Sequence, residues 1–123
     1  MFDKKTADSL MLAYLGDAVW ELLVRERLFF TVPEGNGEAN RLALGFVTAA
    51  AQVKALEKIE PLFTEEEKDV FRRGKNAKTT NTPKSVTRYE YKLATGLEAV
   101  FGYNYLLGLH ERNKELFDFA FNC

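Results

Sequence analysis

The stretch Leu10-Met-Leu-Ala-Tyr-Leu-Gly-Asp-Ala-Val-Trp-Glu-Leu-Leu-Val24 is an almost wholly apolar run with one carboxylate, Asp17, in its middle. Apolar residues recur at Leu12, Leu15, Val19, Leu22 and Leu23, and this helical spacing continues to about Phe30. Asp8 and Ser9, just ahead, are both competent N-caps. The run therefore reads as a buried helix carrying a charge. A carboxylate withdrawn from water needs a cation or a set of donors to compensate it, so Asp17 calls for a partner. Gly16 beside it is a second local penalty, worth about 1 kcal/mol against alanine in a helix, and such a residue suits a place where another backbone comes close. Two adjacent departures from local consistency mark this segment as a candidate functional site.

The rest of the chain supports an all-α fold. Its 123 residues, 46% of them hydrophobic, suit one domain spanning residues 1–123 with its own core. Thr31-Val-Pro-Glu-Gly-Asn-Gly37 is punctuated as a loop. From Glu38 to Ile59 the pattern is helical, and Thr48 could cap a second segment, so one long helix and two shorter ones both fit. Pro61 ends that run. Thr64-Glu-Glu-Glu67 has the form of a capping box opening a helix to about Arg73. Asn76 to Ser85 reads as a loop, Val86 to about Leu107 as a second strongly apolar helix, and Glu111 to Phe121 as a final amphipathic one. With no useful β-alternation, the expectation is a bundle of about six helices.

Composition narrows the chemistry. Cys123 is the single cysteine and His110 the single histidine. The first excludes an intramolecular disulfide and makes a reducing, cytoplasmic setting the default, and the two together argue against a zinc site. A catalytic metal would need oxygen ligands, which points to magnesium or manganese. The charged N-terminus and the acids inside the apolar run argue against a secretion signal or a membrane span. A net charge of −1 means that nucleic-acid binding would need a local basic patch.

Leu12-Ala-Tyr-Leu-Gly-Asp-Ala-Val-Trp20 is echoed by Leu93-Ala-Thr-Gly-Leu-Glu-Ala-Val-Phe101. Each places a solitary acid before Ala-Val-aromatic, with a glycine one or two residues earlier that would let the two helices approach. Asp17 and Glu98 are therefore expected to face one another, with one of them protonated or a divalent cation between them. A purely structural pairing of each acid with a Lys or Arg is the alternative. Glu21 could extend the site, but it lies one turn before Arg25 in the order favourable for an intrahelical ion pair, and that reading is preferred.

Between Arg72 and Arg88 stand six basic residues, Arg72, Arg73, Lys75, Lys78, Lys84 and Arg88, and no acid. The polar residues among them, including Thr79, could donate to phosphate or ribose oxygens, although a solvated loop has the same composition. Its position leading into the Glu98 helix favours the first. The aromatic residues Tyr14, Trp20, Tyr89, Tyr91, Phe101, Tyr103 and Tyr105 are mostly at helical spacing and read as core or subunit interface rather than base-stacking platforms. His110 reads as a surface residue.

Leu12-Ala-Tyr-Leu-Gly-Asp-Ala-Val resembles the ribonuclease III signature, and Glu98-Ala resembles that family's second acidic motif. Arg73-Gly-Lys-Asn-Ala-Lys78, Thr82-Pro-Lys84 and Tyr89 through Glu98-Ala-Val-Phe-Gly-Tyr103 are similar to its Mini-III branch, and the likeness covers nearly the whole chain. The resemblance implies an all-helical catalytic domain, without a separate double-stranded-RNA-binding domain, that works as a homodimer and cuts double-stranded RNA with magnesium. It further implies maturation of the ends of large-subunit (23S) ribosomal RNA, and leaves open whether a ribosomal protein assists. Asp17 and Glu98 would be catalytic and hold the metal, and Lys75, Lys78, Thr79, Lys84 and Arg88 would contact RNA. By spacing, further acids of the larger relatives fall on Ala13 and Thr95, neither of which can ligate as a carboxylate. A leaner metal site follows, and an inactive RNA-binding or dimerisation module of the same fold is the alternative.

Overall fold

In the computed structural model, which describes residues 7–32, 35–78, 82 and 86–122, the first helix begins where a side chain can satisfy its free N–H groups. Asp8 accepts from the backbone N–H groups of Leu10 and Met11 at 2.9 and 3.4 Å, so it, rather than Ser9, caps α1 (Ser9–Thr31). Leu12, Gly16, Trp20, Val24 and Leu28 form a buried row at four-residue spacing. The opposite face also carries large apolar groups, yet it is open: Tyr14 is 75% and Phe29 77% exposed, and Met11 and Leu22 are exposed beside them. The expectation of a buried helix thus holds for one face, because the apolar run serves two faces and, among the described residues, only one of them is covered.

Thr48 resolves the Glu38–Ile59 segment into two helices. It is extended at φ −68°, ψ 156°, ends α2 (Asn36–Val47), and accepts from the Ala51 N–H to begin α3 (Ala49–Ile59). Pro61 sits in a 3₁₀ turn, Glu60–Leu62, after which the capping box of Thr64 and Glu67 starts α4 (Glu65–Asn76), one turn longer than its expected end at Arg73. A second capping box, Thr87 with Glu90, opens α5 (Arg88–Leu106), and Gly108, at φ 76°, turns the chain into α6 (His110–Phe121).

Helix α5 is the hub. It packs most extensively against α1, then α4, with α3 and α6 also against it. Trp20 lies at the centre with its ring edge-on to Phe101 and Phe117 at 5.0 and 5.2 Å, and its indole N–H donates to the Phe46 carbonyl at 2.8 Å. At the other end, buried Glu67 fastens α4 to α5 and α6: Arg112 donates to both of its oxygens at 2.8 and 3.0 Å, and Asn104 donates at 2.9 Å. Burial alone would raise the Glu67 pKa. The Arg112 guanidinium, the Thr64 N–H and the Asn104 amide together outweigh it and hold the carboxylate below its ordinary value. Beside it, Tyr103 donates to Glu66 at 2.7 Å, and burial with that acidic acceptor pushes the phenol up to about 12.

The glycines correct one detail of the echo between α1 and α5. A Cβ on Gly16 would stand 1.7 Å from the Glu98 carbonyl oxygen, and one on Gly102 would stand 2.1 Å from the Leu12 carbonyl oxygen. These two make the α1–α5 crossing. Gly96, the glycine that precedes Glu98, faces the other way: its Cβ would meet the Phe71 ring and carbonyl at 2.8 Å, on α4. The spacing of Gly96 and Glu98, two residues apart on a helix, puts them on different faces.

Candidate active site

The close crossing at Gly16 and Gly102 decides where the two solitary acids lie. Asp17 follows Gly16 on α1, on the exposed side of that helix, and Glu98 projects from the turn of α5 that Gly16 touches. The two carboxyl groups come close enough for Asp17 to act on Glu98 through both hydrogen bonding and charge, each favouring a proton on Glu98. Among the described residues neither acid is in an ion pair, so the pairing of each with a Lys or Arg does not occur there. Glu21 is held by Arg25 at 3.6 Å, as its spacing suggested.

Glu98 is lifted from 4.5 to about 8, first by burial and then by the hydrogen bond and the negative charge of Asp17; the Gln52 amide, whose Nε2 donates to Glu98 Oε2 at 3.4 Å, acts in the opposite direction. Between pH 4.5 and 8 the folded chain therefore holds a proton that the unfolded chain has released. This contribution to stability is complete at acid pH and is lost as pH rises through 8. In chelator, the melting temperature of wild type is expected to fall across this interval relative to that of Glu98→Gln, which cannot ionise. The accumulated difference should approach about 5 kcal/mol above pH 8, and parallel melting curves from pH 5 to 9 would exclude it.

The positions that lack acids are both closed. Ala13 is buried in the core, and Thr95 is buried with its hydroxyl turned back to the Tyr91 carbonyl at 2.8 Å. Among the described residues no three His, Cys, Asp or Glu side chains come together. The donor set is thus two carboxyl groups, hard oxygen ligands without a neighbouring cation. That set suits a magnesium-sized ion, which takes one or two carboxylates and completes its shell with water and substrate oxygens.

Gly74 brings the C-terminal end of α4 against the same part of α5, for its Cβ would meet Ala99 at 2.9 Å and Gly96 at 3.0 Å. The basic stretch therefore starts at the same level of α5 as Glu98, on the face that carries Gly96. Arg72 and Arg73 are engaged with Asp69 at 2.6 and 3.2 Å, Lys75 Nζ lies 5.9 Å above the centre of the Phe71 ring, and Lys78 and Arg88 are exposed. Thr79 and Lys84 lie outside the described residues. Trp20, Phe101 and Tyr103 are core, as their spacing indicated, while Tyr14, Tyr89 and Tyr105 are exposed; His110 is on the surface, 5.0 Å from the Tyr105 ring.

Sequence reasoning missed two members of this site, Gln52 and Gly102. Gln52 is a single amide in a row that continues with Ala55, Leu56 and Ile59, all buried. A polar group on an apolar helix face is the signal that singled out Asp17, and it was present in α3 as well.

Comparison with known proteins identifies the family. The Ribonuclease III domain model matches residues 10–108. Over 115 residues the chain is 46% identical to the Mini-ribonuclease 3 of Symbiobacterium thermophilum, spanning 94% of this chain and 88% of that protein. It is 41% identical over 114 residues to the Mini-ribonuclease 3 of Thermoanaerobacter, spanning 90% and 78%. A crystal structure of a Fusobacterium nucleatum protein superposes with a TM-score of 0.85 at 36% identity, covering 96% of this chain and 94% of that one. The all-helical bundle, the two acids on crossing helices and these matches lead to one assignment: the chain belongs to the ribonuclease III family, in its Mini-ribonuclease 3 branch, and is an endoribonuclease of that type.

Proposed function

We propose that this endoribonuclease cleaves double-stranded RNA with magnesium, or manganese, held by Asp17 and Glu98, and that it matures the ends of 23S ribosomal RNA in the cytoplasm. The observation that carries the reading is the contact between two carboxyl groups from α1 and α5, with neither neutralised by a cation among the described residues. The bound ion supplies Lewis acidity that activates water and offsets the charge developing on the phosphodiester. Lys75, Lys78, Thr79, Lys84 and Arg88 position the duplex backbone, and the nearness of the end of α4 to the Glu98 turn supports that role. Such contacts go to phosphate and ribose, which suits recognition of duplex shape. No side-chain nucleophile is needed.

We also propose that residues 1–123 form one catalytic domain that acts as a homodimer. A groove of about 710 Å³ between α1 and α2 adjoins Phe29 on the outer face of α1; its lining includes the apolar Val32, Leu44 and Val47 together with the polar Glu21, Arg25, Asn36 and Asn40. Exposed apolar surface of this extent favours burial against another protein surface. A two-fold pair presents two sites, one for each RNA strand. Among the described residues no helix is long and apolar enough to cross a membrane.

Incubating the purified protein with long double-stranded RNA tests the reading. Cleavage to shorter duplexes is expected with magnesium and none in chelator; intact RNA under both conditions, with binding retained, would overturn it. Replacing Lys78 and Lys84 together by alanine should reduce the slope of log affinity against log salt by about 2, one for each lost phosphate contact. An unchanged slope would move the RNA surface elsewhere.

A further inference from the structure

We infer that Gln52 is a positioning residue of the acid pair, a neutral amide delivered from α3 that orients the Glu98 carboxylate for the cation. This rests on the proposed role of Asp17 and Glu98. Three observations carry it. Gln52 is only 3% exposed, in a helix face otherwise made of Ala55, Leu56 and Ile59, where a leucine would serve packing better than an amide. Its Nε2 donates to Glu98 Oε2 across 46 residues of sequence, which explains why a buried polar group is kept there. Its placement is also set independently, because Thr48 caps α3 and so fixes Gln52 in the first turn against α5.

The chemistry suits the task. Asp17 repels the ionised form of Glu98, whereas the Gln52 amide donates to Glu98 Oε2 at 3.4 Å and so favours the carboxylate. An arginine or lysine at position 52 would favour the carboxylate more strongly, but it would place a positive charge where a cation must enter. An amide donates without that charge. It also restrains rotation of Glu98, leaving one carboxylate edge for the ligand, the role that outer partners of metal-binding carboxylates generally play. With acids lacking at Ala13 and Thr95, the third polar contribution to the site comes from a different helix and in uncharged form.

The test uses Gln52→Met, which keeps the length and apolar volume, and Gln52→Glu. Gln52→Met should melt within a few degrees of wild type in chelator and bind RNA unchanged. Its manganese midpoint, followed by thermal shift without RNA, should rise by about tenfold or more, and its kcat should fall comparably while KM is retained. Gln52→Glu crowds a third carboxylate against the pair, so it should melt lower than wild type in chelator at pH 8 and recover on adding manganese. A side chain that only filled the α3 face would show neither the metal-dependent recovery nor the split between kcat and KM. In unmodified protein, the Gln52 side-chain amide signals should shift with magnesium at the midpoint of the thermal response. If they do not move, the inference is overturned whatever the variants do. If Asp17→Asn and Glu98→Gln abolish the metal response while Gln52→Met keeps the wild-type midpoint, Gln52 alone is excluded; if all three retain the response, the acid-pair reading falls with it.

Discussion

Asp17→Asn and Glu98→Gln are each expected to lower cleavage of long double-stranded RNA by about a thousandfold or more, equivalent to about 4 kcal/mol of transition-state stabilisation. Both replacements keep the size of the side chain and its capacity to hydrogen-bond, so the α1–α5 crossing stays as it is. What changes is charge. The pair supplies two hard anionic oxygens from two helices, and an amide at either position leaves a single carboxylate to hold the cation. RNA affinity measured in chelator should be close to that of wild type, since the proposed duplex contacts are made by residues other than the acid pair. Because the two acids act as one unit, the double variant should lose little more activity than either single variant. Single-turnover cleavage at saturating RNA measures all three, and full activity in either single variant would end the assignment.

The second large effect is structural. Gly16→Ala is expected to destabilise the protein by more than about 3 kcal/mol, at the upper end of the range for overpacking. Helix propensity alone points the opposite way, favouring alanine by about 1 kcal/mol. The contact decides the sign, for the new Cβ would stand 1.7 Å from the Glu98 carbonyl oxygen and 2.9 Å from the Gly102 nitrogen. Both are backbone atoms inside a helix, so no rotamer change relieves the clash and α1 must lift by roughly 1.5 Å. Such a displacement also parts Asp17 from Glu98, and misplacement on that scale costs about a hundredfold in rate. Gly102→Ala, with its Cβ 2.1 Å from the Leu12 carbonyl, should be comparably damaging to stability. Gly45→Ala is the control: it lies within α2 with nothing near its Cβ, and should be neutral or slightly stabilising. Denaturant midpoints of the three variants check the order, and a neutral Gly16→Ala would show that the two helices are not in contact there.

Local chemistry made much of this molecule readable from its residues. Asp8, Thr48 and the Thr64–Glu67 box mark helix starts because a cap is settled within four residues, and α1 to α6 follow from such signals together with 3.6-residue periodicity. The meeting of Asp17 with Glu98 was legible because two similar segments each carried an unexplained acid. The outer face of α1 was not, since hydropathy reports that Tyr14, Leu22 and Phe29 are apolar and says nothing of whether a neighbour covers them. Gly102 and Gln52 escaped for a related reason: their partners, the Leu12 carbonyl and Glu98, are 90 and 46 residues away, and no local pattern encodes which turn of one helix meets which turn of another.

The reciprocal seating of Gly16 on the Glu98 carbonyl and Gly102 on the Leu12 carbonyl makes the crossing a ruler as well as a joint. Sliding α1 by one turn along α5 would bring residues with side chains onto those carbonyls, so only one register closes. The separation of the two acids is thus calibrated by main chain against main chain, without reference to the surrounding core. Trp20, Phe101 and Phe117 could be exchanged for other shapes of similar volume and the span between Asp17 and Glu98 would hold, whereas one methyl group at either glycine would lose the measure.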